Sequence, residues 1–299
     1  RKAAAMQAYR EWMPVSDNYW GTYQIGTRAT LFRTETRLLG RTKQPEIAPL
    51  FLEADPVKAL TAFRNGAWMN PAATMMGSEQ ELWLDHAMRA SVKAGTKWQG
   101  VGFGTIMGET RAPMEAATWV APDAPARVKA YVQAGILAGK VGLPLNFDNW
   151  GGYPAARARF LKSAQSMGAD LIVISGDSHN AWAYDLAQDG KAAGVEFAGH
   201  SVSSPGFETY APTVAPKDVA GALIRGNPQL KWADTSSRGY MTVNLTQDRA
   251  TANWHAMRTI REHTLDLART ESRSVLPGRK VLAEPGWSRW SPADATLSV

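Results

Sequence analysis

Cysteine is absent from the 299 residues, which excludes disulfide bridges and thiol catalysis within the chain and leaves the compartment open. No run approaches the roughly 18 consecutive apolar residues of a membrane span. Nor does any stretch near Arg1 show the charged, apolar and small-residue order of a signal peptide. The formal charge is +6, yet Lys and Arg are scattered and no block of like charges occurs, which argues against specific nucleic-acid binding. A mild positive field suits phosphate-bearing substrates instead. Internal repeats and low-complexity segments are also missing. What is there has an ordinary globular balance, 44% hydrophobic and 20% charged, at a length that fits one large domain or two modest ones.

The most informative stretch runs from Asp170 to Leu186, DLIVISGDSHNAWAYDL. Leu171 to Ile174 is a continuous apolar, β-branched run, the pattern of a strand covered on both faces in a parallel or mixed sheet. Ser175 and Gly176 end it, and Gly176 is expected to take the tight turn because it has no Cβ. Asp177 and His179 then emerge at the carboxyl end of the strand, where open α/β sheets place their ligands. A carboxylate and an imidazole two residues apart form a mixed oxygen and nitrogen donor set suited to Fe, Mn or Zn. A bland arrangement also fits, with Asp177 capping a following helix, Ser178 and Asn180 in a turn and His179 an ordinary loop histidine. Two ligands do not make a metal site, and the residues alone leave both readings open.

The GDSH loop after an apolar strand resembles the C-terminal ligand loop of the PhoD-like alkaline phosphatases, a branch of the calcineurin-like metallophosphatases in which GD-x-H stands where relatives carry GH-x-H. YREWMP at Tyr9 to Pro14, GSEQELWL at Gly77 to Leu84, DNWGGYPAARARFL at Asp148 to Leu161, SVSSPGFE at Ser201 to Glu208 and NPQLKWADTSSRGY at Asn227 to Tyr240 resemble the same family in the same order. The resemblance implies an α/β fold, a mixed-sheet metallophosphatase-type sandwich with flanking helices. It implies metal-dependent hydrolysis of small-molecule phosphate monoesters or diesters, with Asp177 and His179 as metal ligands. Arg37, Trp150, Tyr153 and Asn180 are the expected substrate-binding residues. Calcium with iron is the implied metal set, although Asp177 and His179 do not separate iron from manganese or zinc. A periplasmic or secreted location is implied by resemblance alone.

Two positions depart from the family pattern. Glu35 in TETR stands where an Asp-Thr-Arg sequence is usual, with Arg37 retained; that arginine fits either a phosphate contact or a structural ion pair. Gly151 stands where the family often reads Trp-Asp-Gly-Tyr, so Trp150 and Tyr153 are read as pocket walls or, equally, as aromatics stapling a helix to the core.

The family's earlier motifs, an Asp-bearing first strand, a GD loop and an Asn-bearing loop, have no match from Arg1 onward. The expectation is therefore a C-terminal portion of the catalytic domain over residues 1–272, incomplete at its N-terminus, needing the missing N-terminal half as a partner for part of its metal shell. A loosely packed tail is expected over 273–299. The competing readings are a catalytically incompetent fragment and a metal-free anion-binding module using Arg37 and the glycine-rich strand end at Gly100 to Gly104.

Hydropathy predicts a helix over Lys2 to Met13, one or two strands over Trp20 to Phe32 turning at Gly26, and a helix from Gly77 with Ser78 as N-cap and Glu81 completing a capping box. It also predicts a strand over Thr96 to Met107, helices over Ala126 to Leu137 and Pro154 to Met167, and an edge hairpin over Tyr240 to Met257. A strand over Val195 to Ser203 brings His200 within reach of the loop. The resembling family does not rely on a histidine at that place, so His200 is not counted among the site residues.

Overall fold

The computed structural model describes residues 1–14, 16 and 18–284. Ten strands and six helices follow in the order α1 (Lys2–Trp12), β1 (Gly21–Ile25), β2 (Ala29–Arg33), α2 (Pro56–Asn65), α3 (Ser78–Lys93), β3 (Trp98–Gly102), α4 (Ala126–Lys140), α5 (Pro154–Met167), β4 (Leu171–Ser175), β5 (Ala181–Gln188), β6 (Lys191–Ala198), α6 (Pro216–Gly226), β7 (Leu230–Asp234), β8 (Gly239–Leu245), β9 (Ala250–Met257) and β10 (Leu267–Val275). A seven-stranded sheet has the order β1-β2-β3-β4-β6-β5-β7, and a separate three-stranded sheet the order β10-β9-β8. Strands β2, β3, β4 and β6 run parallel, while β1, β5 and β7 pair antiparallel with their neighbours. The large sheet is thus mixed, as expected.

Strand alternation sorts the core into two layers. Side chains of a strand point to opposite faces in turn. Leu171 and Val173 of β4 and Trp182, Tyr184 and Leu186 of β5 accordingly pack in one cluster with Leu84 and Met88 of α3, Phe160 and Leu161 of α5, and Val219 and Leu223 of α6. Ile172, Ala181, Ala183, Val195 and Phe197 face the other way, onto Ala250, Ala252 and Trp254 of β9. The molecule is layered as helices, large sheet, small sheet. Because β4 is covered on both faces, it reads as an unbroken apolar run, and each of its buried Leu, Ile and Val side chains contributes up to about 1.5–3 kcal/mol.

Helix α5 begins at Pro154, whose fixed φ suits the first turn, and stops at Gly168 in the left-handed conformation. In α3 the buried residues are Gln80, Leu84, Met88 and Ser91, one face of a 3.6-residue repeat.

Several expectations are corrected. The N-cap of α3 is Gly77, not Ser78, and no capping box forms. Glu81 instead accepts a hydrogen bond from the Thr74 hydroxyl at 2.5 Å and pairs with Arg159, and Thr74 Oγ1 accepts from the Gly77 amide at 2.9 Å. Segment Tyr240 to Met257 does form a hairpin, but β9 lies at the centre of the small sheet. Its other neighbour is β10, so residues 273–275 of the expected loose tail are a paired strand end with Ser274 and Val275 buried. Residues 285–299 of that expected tail lie outside the described residues.

Candidate metal and phosphoester site

Strand β4 ends at Ser175, and the loop Gly176 to Asn180 connects it to β5, a strand rather than the helix that Asp177 would have capped. Gly176 is not the residue that makes the turn: a Cβ added there meets nothing within 4 Å. Asp177 at φ 66° and His179 at φ 63° carry the left-handed conformation, two of only four non-glycine residues with positive φ among those described. Such backbone costs free energy unless surrounding contacts enforce it, and it concentrates at functional loops.

The enforcing contacts are visible. Trp182 Nε1 donates to Ser178 Oγ at 2.6 Å, and Asn180 Nδ2 donates to the Ser178 carbonyl at 2.7 Å. The Phe207 amide donates to Asn180 Oδ1 at 3.1 Å, and the Gly199 amide to the Ser175 carbonyl at 2.9 Å. Asn180 is buried and committed on both ends of its amide, so it positions the loop.

Imidazole Nδ1 of His179 lies 2.8 Å from the carbonyl oxygen of Pro205. A carbonyl only accepts, so Nδ1 carries a proton, and in the neutral ring Nε2 keeps its lone pair. This is the orienting hydrogen bond that metal-binding histidines characteristically make. Asp177 is exposed, and among the described residues its carboxylate has one ionic neighbour, Arg37 Nη2 at 3.9 Å. Among the described residues no group of three or more His, Asp or Glu side chains converges to hold a metal ion.

Arg37 donates to both oxygens of Asp148, at 2.7 and 2.8 Å. Arg41 donates to the same carboxylate at 2.8 Å and to the Tyr153 hydroxyl at 2.9 Å. The hydrogen bond to Asp148 raises the Arg37 pKa and, reciprocally, holds the Asp148 carboxyl below its usual range. Of the two arrangements open to Arg37, the structure shows the ion pair. Glu35 is explained by the same turn: its carboxylate accepts the backbone N–H groups of Arg37 and Leu38 at 2.6 Å each and of Leu39 at 2.9 Å.

Trp150 and Tyr153 are core residues, 1% and 0% exposed. Trp150 packs edge-on to Phe103 with ring centroids 4.7 Å apart, and the Tyr153 hydroxyl donates to the Thr42 carbonyl at 2.7 Å. Neither lines the cavity that holds Asp177 and His179. An aspartate in place of Gly151 would not fit this turn, since a Cβ there comes within 2.8 Å of Pro144 and 2.9 Å of Asn149 Oδ1. His200 is buried with both ring nitrogens unpartnered among the described residues, and it does not line that cavity either.

The cavity measures about 280 Å³ and is bordered by the loop Gly176 to Asn180, by Thr105 and Ile106 beyond β3, by Asn146 and Asn149, and by Tyr131, Phe207 and Tyr210. Thr105 lines this cavity, and its Oγ1 is buried without a hydrogen-bond partner among the described residues. Beneath it, the fully buried Glu196 accepts from the Met107 and Gly108 amides at 2.7 and 2.6 Å and from Ser175 Oγ at 2.6 Å, tying the β3 loop to the end of β4. Burial pushes the Glu196 carboxyl up, and these three hydrogen bonds oppose it. Thr105, Asn149, Glu196 and the aromatic residues were not expected as site residues. Only the buried charge of Glu196 inside VEFAG signalled that something polar had to meet it.

A mixed α/β sheet flanked by helices, with a strained carboxylate–imidazole loop at the carboxyl end of a parallel strand, defines an α/β protein of the kind that places its chemistry at strand ends. Comparison with known proteins narrows this. The profile of the PhoD-like phosphatase family matches residues 1–254, and the chain belongs to that family. It is 26% identical over 199 residues to alkaline phosphatase D of Bacillus subtilis, a match covering 64% of this chain and 28% of that protein. The fold is similar to a solved structure of PhoD, with a TM-score of 0.65, 21% identity, and coverage of 94% of this chain and 48% of the other. The chain thus spans under half the length of these relatives.

Proposed function

We propose that this protein takes part in the metal-dependent hydrolysis of phosphate esters, with Asp177 and His179 as its contribution to the metal shell and the remaining ligands supplied by the rest of the catalytic domain. The observation that carries the proposal is the His179 Nδ1 hydrogen bond to Pro205, which leaves Nε2 as a free donor beside the exposed Asp177 carboxylate. That donor set fits a transition metal such as iron, manganese or zinc. Calcium prefers oxygen, so Asp177 alone of the pair suits it. When bound, such metals polarise the phosphoryl group and supply hydroxide from water near neutral pH.

The chain's own residues have distinct parts. Asp177 and His179 present their donors to the cavity that Thr105 also lines. Asn180 and Glu196 act through hydrogen bonds that fix the two loops. Arg37 keeps positive charge near Asp177 while paired with Asp148. A periplasmic or secreted location belongs to the same reading and rests on the family.

The test compares hydrolysis of aryl phosphate monoesters and diesters by this chain and by an upstream-extended gene product, each with and without a chelator. The expected result is activity in the extended form that chelation abolishes and that His179→Ala lowers at least about 100-fold. Phosphate binding that survives chelation, without hydrolysis by either form, would instead support the metal-free anion-binding module. Absence of both activity and binding would mark a catalytically incompetent fragment.

A further inference from the structure

The cavity beside Asp177 and His179 has one polar side and one aromatic side. Tyr131 of α4 and Tyr210 face each other with ring centroids 6.2 Å apart at 30°, and Phe207 meets Tyr210 at 6.4 Å and 67°. Both tyrosines are more than a third exposed, at the cavity lip, while Phe207 lies behind them. Exposed aromatic rings at the mouth of a concave site present apolar area at little entropic cost, since each ring has two rotatable bonds.

This wall is built into the ligand loop. The Phe207 amide is held by Asn180 Oδ1 at 3.1 Å, and its ring is wedged edge-on between Trp119, at 6.3 Å and 90°, and Trp182, at 6.0 Å and 87°. The residue that follows His179 therefore fixes the position of the aromatic wall relative to the metal donors. Ile106 and Leu145 add apolar lining to the same cavity. A volume of about 280 Å³ lies at the lower end of small-molecule pockets and has room for one ring beside a phosphoryl group.

We propose that this aromatic wall is the subsite for the organic group of the ester, and that it selects phosphate esters carrying a single planar ring over aliphatic ones. The proposal rests on the phosphoester reading above and adds the substrate class. Tyr210 is its specificity-determining residue: its ring links the other two and it is exposed enough to be changed without disturbing the core.

The experiment is calorimetric titration of the upstream-extended protein, with Mn²⁺ in excess, by phenylphosphonate, cyclohexylphosphonate and methylphosphonate. These share the non-hydrolysable phosphonate head and differ in ring and planarity. Phenylphosphonate is expected to bind about tenfold more tightly than methylphosphonate and measurably more tightly than the cyclohexyl compound. Tyr210→Phe keeps this preference; Tyr210→Leu, which keeps bulk and loses the ring, reduces it to within about threefold. Equal binding of all three phosphonates overturns the aromatic subsite and leaves the phosphoester reading intact. So does equal binding of the phenyl and cyclohexyl compounds, or a preference that Tyr210→Leu does not alter. If no phosphonate binds, the phosphoester reading itself fails and the subsite falls with it.

Discussion

Asp148 shows how a residue outside the expected site can govern it. One carboxylate receives two hydrogen bonds from Arg37 and another from Arg41, which places Arg37 within 3.9 Å of Asp177. Its folded pKa is depressed because Arg37 donates to the ionised form. The native state therefore binds that proton more weakly than the unfolded chain. The stabilisation is complete above the unfolded carboxylate value of about 3.9 and is lost as pH falls through the depressed folded value. Charge-assisted hydrogen bonds of this kind are worth about 1.5–3 kcal/mol, discounted to roughly 1 kcal/mol because the pair is partly exposed. Asp148→Asn is expected to lower stability by that amount at a pH of about 6, with the difference from wild type shrinking toward a pH of about 3. Urea unfolding at the two pH values measures it, and a constant difference would show that the ion pair is not the cause.

In the β4–β5 connection, backbone conformation and function pull in opposite directions. Asp177 sits at φ 66° and gains only a 3.9 Å ion pair in return. Replacing it by glycine removes the left-handed penalty and adds unfolded-state entropy, for a net gain of about 0.5 kcal/mol. Asp177→Gly is expected to raise the urea midpoint slightly while removing metal-dependent activity from the extended protein; loss of stability would mean that the loop is held by Asp177 after all. The same connection shows what was legible in sequence. The apolar run of β4, the Pro154 start of α5 and the turn at Gly26 were readable because each is a local rule. The left-handed residues were not, because any residue after Ser175 could have taken the turn and glycine was the cheaper choice. Asp177 and His179 were picked out through family resemblance, and the structure places them on one loop at the end of β4, whereas Trp150 and Tyr153 were not placed, since aromatics ahead of a helix look alike in a pocket or in a core. The aromatic wall joins Tyr131 to Phe207 and Tyr210 from distant parts of the chain, and no local pattern links them. Strand β10 escaped notice because LARTESRSV is exposed over its first four residues and mostly polar throughout, so it lacks the apolar alternation that marks a half-buried strand.

Across the whole molecule, the site depends on a layer that never touches it. Trp254 of β9 is buried against Phe197 at 5.9 Å and Trp232 at 4.5 Å, and its Nε1 donates to the Ala198 carbonyl at 2.8 Å. Ala198 ends β6, and the next amide, that of Gly199, donates to Ser175, the last residue before the ligand loop. The small sheet is thus fastened to the large one at the strand ends that present Asp177 and His179. Removing the indole by Trp254→Ala opens a cavity between the sheets and leaves the Ala198 carbonyl unpaired, at a cost of about 3–5 kcal/mol. Trp254→Phe keeps most of the apolar contact and loses the hydrogen bond, at about 1–2 kcal/mol. Urea unfolding followed by tryptophan fluorescence should give this ranking, and amide hydrogen exchange should show faster opening at Gly199 in both variants. If exchange at Gly199 is unaffected while global stability falls, the small sheet stabilises the domain without transmitting order to the site. If it accelerates beyond the global change, the three layers hold the Gly176 to Asn180 loop as one unit, and the β8–β10 sheet is part of what positions Asp177 and His179.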